Sequence, residues 1–223
     1  MLIMLARTLA AAAITASLAT GATAVIQEES PDYTILKETD GVQLRLYAPY
    51  VVAEVDVKAD NRRMASSMGF GPLASYIFGR NRPGEKIAMT SPVTTKPVTM
   101  VQGIARGGGE KIAMTSPVTT AETREGFYTV RFAMPKDYTL KTLPKPQDDR
   151  VRLMLTEERQ IIASGYTGPR DSTRDDKINA ALEAFATAKG LALTPGMITA
   201  GYDGPATPAE ERRWEIMREV ATN

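Results

Sequence analysis

Only two stretches of this chain carry helical spacing, and runs of apolar–polar alternation stand before and after each of them. Val42, Leu44 and Leu46 alternate with Gln43 and Arg45; Val51, Ala53, Val55 and Val57 alternate with Val52, Glu54, Asp56 and Lys58. Period-two patterns of this kind mark antiparallel strands with one face in and one out. Tyr128, Val130, Phe132 and Met134 repeat the pattern up to Pro135, and Val151, Leu153 and Leu155 repeat it again. Tyr33–Glu38, Arg159–Tyr166, Met197–Tyr202 and Arg212–Glu219 complete the expected strands, the last with Trp214 and Ile216 on one face. Asp40-Gly41 signals a turn. The first helical stretch spans about residues 61–78, with Asn61 as cap and Met64 and Met68 at i, i+4. Gly69-Phe70-Gly71-Pro72 predicts a break or kink there, followed by a fresh piece carrying Leu73, Tyr76 and Ile77 on one side. The second helix opens with a capping box, Ser172 and Asp175. It aligns Ile178, Ala181, Leu182 and Phe185 in one stripe, and closes at Lys189 and Gly190. Two helices are too few for a parallel sheet built from βα units. The expected class is therefore α+β: a mostly antiparallel sheet with two packed helices.

One segment falls outside this alternation. Gly84–Thr95, reading GEKIAMTSPVTT, returns letter for letter at Gly109–Thr120. Each copy reads as a short extended run, a bend at Ser91-Pro92 or Ser116-Pro117, and a β-branched run. Two copies are fewer than the three or so that a solenoid needs, so the reading is a duplicated hairpin arm over residues 84–120.

The chain has 223 residues and contains neither Cys nor His. That excludes thiol nucleophiles, Ser-His-Asp chemistry, disulfides and zinc sites of the usual kind. It also removes the side chain best matched to proton transfer near neutral pH. Residues 1–24 hold one charge, Arg7, then an apolar run over Thr8–Ala19, then Ala22-Thr23-Ala24. This predicts a signal peptide cleaved after Ala24, a single domain over residues 25–223, and a periplasmic or secreted protein. No later stretch is long and apolar enough to span a membrane as a helix. Taking Arg7 away leaves 26 basic and 26 acidic residues, a balance that argues against nucleic acid as partner.

Tyr76-Ile77-Phe78-Gly79-Arg80-Asn81 followed by Lys86-Ile87-Ala88-Met89-Thr90-Ser91-Pro92-Val93 resembles the SOUL haem-binding protein family. So do Val130–Pro135, Ala200-Gly201-Tyr202-Asp203-Gly204-Pro205 and Arg212-Arg213-Trp214-Glu215. The resemblance extends from about Tyr33 to Val220. It implies a distorted, mostly antiparallel β-barrel flanked by two helices with an internal pseudo-twofold, similar to the effector-binding domains of some bacterial regulators. It implies haem or another tetrapyrrole as ligand, held in an apolar groove along the first helix and near the loop before the last strand. On this chain those places are Met64, Met68, Phe70, Leu73, Ile77 and Tyr202, and the duplicated arm would bring Met89 or Met114 beside them. Some members are thought to ligate iron through His. Here only Met, Tyr or Lys remain, so affinity would rest on burying the macrocycle and pairing its propionates with Arg62, Arg63, Arg80 or Lys86. No metal site is read from the sequence.

Three functions follow from these residues. The first is a carrier of haem or a related flat amphipathic molecule. The second is a protein-interaction module that uses the duplicated arm. The third is a small-molecule enzyme using a buried Glu such as Glu54, Glu85 or Glu110; no paired carboxylates or other catalytic constellation is recognisable, so the expectation is that the protein is not an enzyme.

Overall fold

In a computed structural model of the chain, residues 29–82, 108–204 and 206–222 are described. The expected leader at residues 1–24, the first copy of the repeat, and Glu85, Lys86 and Met89 within it lie outside them. The elements run β1 (Tyr33–Thr39), β2 (Val42–Tyr47), β3 (Val51–Lys58), α1 (Arg62–Ile77), β4 (Asn81–Arg82), β5 (Val118–Arg124) and β6 (Phe127–Ala133). They continue with β7 (Lys145–Pro146), β8 (Arg152–Leu155), β9 (Arg159–Thr167), α2 (Ser172–Ala188), β10 (Ile198–Gly201) and β11 (Arg213–Glu219). Among the described residues, nine strands form one curled antiparallel half-barrel sheet, ordered β1-β2-β9-β11-β10-β5-β6-β3-β8. β4 and β7 pair separately. The α+β class expected from the alternation is the one found.

The strand order contains a symmetry. Strand, strand, helix, strand, strand occurs twice: β2, β3, α1, β5, β6 and then β8, β9, α2, β10, β11. With the edge strand β1 left out, exchanging β2 with β8, β3 with β9, β5 with β10 and β6 with β11 reproduces the sheet order in reverse. A pseudo-twofold axis therefore passes between β5 and β10, where the halves pair through Thr120↔Thr199 and Thr119↔Ala200.

Both helices cover one face of this sheet. Val55, Val130, Thr120, Thr199 and Ile216 are successive cross-strand partners, so they share a face. α1 sits at the Val55–Val130 end of that row, in a core with Leu73, Tyr76, Ile77 and Phe132. α2 sits at the Ile216 end, with Ile162, Leu182 and Ala186. The other face carries charges in pairs: Glu54 accepts from Arg131 and Arg152, and Arg45 grips Glu215.

Three local readings change. α1 is one uninterrupted helix over Arg62–Ile77, capped by Asn61, whose side chain accepts from the Met64 N–H. Pro72 lies inside it without breaking it. The N–H that Pro72 lacks would have met the carbonyl of Met68, a residue whose side chain lies on the solvent side of the helix. The cap of α2 is Asp171 rather than Ser172; its carboxylate accepts from the N–H groups of Thr173 and Arg174. Asp175 is buried and takes the Tyr166 hydroxyl at 2.7 Å instead of closing a capping box. The second copy of the repeat joins the core: Ile112 is buried, and Val118–Thr120 begin β5, which pairs with β6 in the middle of the sheet.

Candidate functional site

Beside α1, over the β5–β10 seam and up to the loop that leads into α2, lies a cleft with a cavity of about 220 Å³. Its floor is Thr120, Thr199 and Gly201; one wall is Ser66 and Phe70 of α1; Arg170 and Trp214 form the other. Met114, Val118, Tyr202 and Arg212 close one end. The helical repeat explains the first wall. Arg62, Ser66 and Phe70 are spaced by four and lie on one stripe. Ala65, Gly69, Leu73, Tyr76 and Ile77 form the neighbouring stripe, buried against the sheet.

Of the residues expected at the groove, Phe70 and Tyr202 line this cavity. Leu73 and Ile77 do not; each is 0% exposed, inside the core beneath α1. Met64 and Met68 do not line it either; they are 43% and 49% exposed on the outer side of the helix. Tyr202 sends its hydroxyl to the Glu215 carboxylate on the opposite face, so only part of its ring meets the cleft. Met114 is present as the repeat suggested. Arg170, Trp214, Thr120 and Thr199 were not legible as a group, because four separate segments supply them.

The cleft is basic at one end. The Arg170 guanidinium stands 5.2 Å from the Trp214 ring, donates to the Thr199 hydroxyl at 3.2 Å, and is 3.7 Å from Asp175. Burial pulls its pKa below the ordinary value, and the positive charges of Arg62 and Arg63 pull it further, against the opposing effect of Asp175. Arg62 reaches Glu122 only at 3.9 Å, and its Nε is buried without a hydrogen-bond partner. Arg62 and Arg63 thus stand close enough to Arg170 to act on its charge, but of the three only Arg170 lines the cavity. Arg80 lies elsewhere, exposed and near Asp148.

Two further cavities lie among the described residues. One of about 650 Å³ is bounded by Pro31, Pro49, Tyr50, Met134, Tyr138, Leu140 and Leu155 at the end of β3, β6 and β8. Another of about 340 Å³ lies over Tyr33, Tyr47, Tyr202 and Glu215. Neither of the described carboxylates considered as a base is free: Glu54 is held by two arginines, and Glu110 accepts the Tyr138 hydroxyl at 2.7 Å.

Several tyrosines are buried with their protons. Burial pushes Tyr47, Tyr138 and Tyr166 up to about 12, and pushes Tyr76 and Tyr202 further in the same direction. In the unfolded chain these groups ionise near 10, as free tyrosine does. Between about 10 and 12 the unfolded state has lost protons that the folded state keeps, so stability is complete below 10 and falls as pH rises through that window. Urea midpoints measured at pH 8, 10 and 11 should decline steeply only over the last interval. A flat profile would contradict the burial of these hydroxyls.

The fold is an α+β half-barrel shared with other solved structures. It is similar to the EcmrR C-terminal domain, with a TM-score of 0.54 at 14% identity, covering 86% of this chain and 99% of that one. It is also similar to a hydrolase encoded by lin2189 from Listeria innocua, with a TM-score of 0.51 at 12% identity, covering 83% and 94%. At such identities the likeness shows the fold alone. The sequence profile described as SOUL heme-binding protein matches residues 28–219. The chain belongs to the SOUL family. No curated protein matches it.

Proposed function

We propose that this protein binds a flat, amphipathic, anionic small molecule of the tetrapyrrole class in the cleft between α1 and the loop that leads into α2. The observation that carries the reading is the division of that cleft. Phe70, Met114 and Trp214 supply apolar parts of its lining, and Arg170 supplies a cation, with Arg62 and Arg63 nearby and Glu122 and Asp175 as the carboxylates that face them. A ring with carboxylate arms matches both, since an aromatic wall buries ring area and arginine pairs with carboxylate. Membership of a family named for haem supports the same class of ligand.

The residues fit the macrocycle better than they fit its iron. The chain contains no His or Cys, and the Tyr202 hydroxyl is already engaged by Glu215, which leaves the Met114 sulfur as the donor in the cleft. Haem, when bound, would supply its iron chemistry; the chain's own residues cover one ring edge and pair with its propionates. A cavity of about 220 Å³ takes an edge of the ring rather than the whole of it. Export to the periplasm or the outside, as the leader suggests, makes a carrier or scavenger the role in which such binding is useful.

The test is a visible-absorption titration of the chain with haemin and, in parallel, with metal-free protoporphyrin. Both should bind with similar affinity. Arg170→Gln should weaken both roughly tenfold, the loss of one charge-assisted pair. Trp214→Ala should weaken them at least as much. A Soret shift with haemin alone would point to iron ligation, and Met114→Ala would then remove it. Failure of both ligands to bind would overturn the proposal. Binding indifferent to Arg170 and Trp214 would move the site to the larger cavity at Tyr50 and Leu155.

A further inference from the structure

We propose that the groove filled by Gly109–Thr120 is a docking site for the dodecapeptide as such, and that Gly84–Thr95 of the same chain is its second occupant. The second copy is held by contacts that depend on its residue types. Gly109 donates to the Gly79 carbonyl at 2.9 Å, and a Cβ at Gly109 would stand 2.4 Å from the Asn81 carbonyl oxygen. The Asn81 side chain accepts from the Glu110 N–H at 2.9 Å and donates to the Glu110 carbonyl at 2.7 Å. Ile112 is 3% exposed in the α1 core and donates its N–H to Ile77. The Thr115 hydroxyl donates to the Ala133 carbonyl, and the Ser116 hydroxyl donates to the Tyr202 carbonyl. Gly84, Glu85, Ile87, Thr90 and Ser91 stand at the same offsets in the first copy. Every interaction the groove selects for is therefore present twice in one molecule, and the two copies compete for it in cis at high effective concentration.

What differs is the chain on either side. Only Arg80–Pro83 separate Gly79 from Gly84, a span of the length that closes hairpins, so the first copy can reach the groove. At the other end Thr120 runs on into Ala121 and Glu122. Ala121 pairs with both Thr129 and Ile198, and Glu122 meets Arg62. Thr95 runs on into Lys96 and Pro97, and Pro97 has no N–H to give a neighbouring strand. The second copy is thus the favoured occupant and the first is the reserve.

The experiment uses the full chain and three variants, read by thermal unfolding in the far-UV. Ile87→Asp should melt like the parent. Ile112→Asp should keep a cooperative transition at a lower temperature, because the first copy takes the groove. The double variant should lose the transition. Equal loss in Ile112→Asp and in the double variant would overturn the proposal. Should the double variant also stay folded, cross-linking decides. The chain has no Cys, and Tyr138 touches Glu110 in the groove at 2.7 Å. A bifunctional maleimide should join Tyr138→Cys to Glu85→Cys in the Ile112→Asp background and not in the parent. No such link in that background would overturn exchange.

Discussion

Replacing Glu215 by Ala should cost about 3–5 kcal/mol of folding stability, the usual penalty for leaving a buried charge without its partner. Glu215 accepts two hydrogen bonds from Arg45, at 2.9 and 2.6 Å, and a third from the Tyr202 hydroxyl. The Arg45 side chain is only 6% exposed. Burial alone would depress its pKa, but the Glu215 carboxylate raises it above the ordinary arginine value. With the carboxylate gone, the guanidinium keeps Gln43 and Tyr47 as neutral acceptors and cannot shed its charge. Glu215→Gln, which preserves shape and acceptor, should lose less. Replacing both partners, Arg45→Met with Glu215→Leu, should recover most of the loss, since an apolar pair needs no compensation. Urea unfolding at neutral pH measures all three. A Glu215→Ala loss under about 1 kcal/mol would mean that the pair behaves as an exposed one.

The same cluster ties down an edge of the sheet. Arg45 lies 4.4 Å from the Tyr33 ring, and Tyr33 is 5.0 Å from Tyr47. β1 is otherwise exposed along its whole length. Hydrogen exchange in Glu215→Ala should therefore speed first in β1, an edge strand held by one neighbour.

Much of the framework was legible because it rests on periodicity. The alternating runs around Val42–Leu46, Val51–Val57 and Tyr128–Met134 all became strands, and the Ile178–Phe185 stripe became α2. Local chemistry was less certain by one residue where two polar groups stood together. The cap expected at Ser172 falls one residue earlier, at Asp171, and Asp175 accepts from the Tyr166 hydroxyl. The break expected at Pro72 failed because its lost hydrogen bond falls on the solvent side of α1.

The site was less legible than the fold, for a reason that lies in α1. Apolar spacing directs attention to Met64 and Met68, but the sheet already takes the Ala65–Gly69–Leu73 stripe, and the methionines are left outside. The stripe that faces the cleft reads Arg62, Ser66, Phe70, which no hydrophobicity pattern selects. Arg170 and Trp214 come from beyond β9 and from β11, and only the strand order brings them to β5. The second copy of the repeat was legible as an extended run, and Val118–Thr120 supply the start of β5; the burial of its Ile112 beside α1 was not legible.

The close packing of α1 that creates the cleft wall can be tested at two glycines in one helix. Gly69→Ala should destabilise the protein by about 1–3 kcal/mol despite the better helix propensity of alanine. A Cβ at Gly69 would stand 2.5 and 2.6 Å from side-chain atoms of Val130, which is itself 0% exposed and fixed between β5 and β3. A β-branched valine in a close-packed core has no rotamer to retreat to, so the helix must lift instead. Lifting α1 moves Ser66 and Phe70 away from the cleft floor, so ligand affinity should fall together with stability. Gly71, two residues on, has open space around its Cβ position. Gly71→Ala should therefore show the propensity term alone, a gain of about 0.5–1 kcal/mol. The opposite signs separate packing from backbone entropy within one element. Adding Val130→Ala to Gly69→Ala should restore part of the loss, because the new methyl occupies space the valine vacates. If the two variants were simply additive, the contact between Gly69 and Val130 would not be what holds α1 at its distance from the sheet.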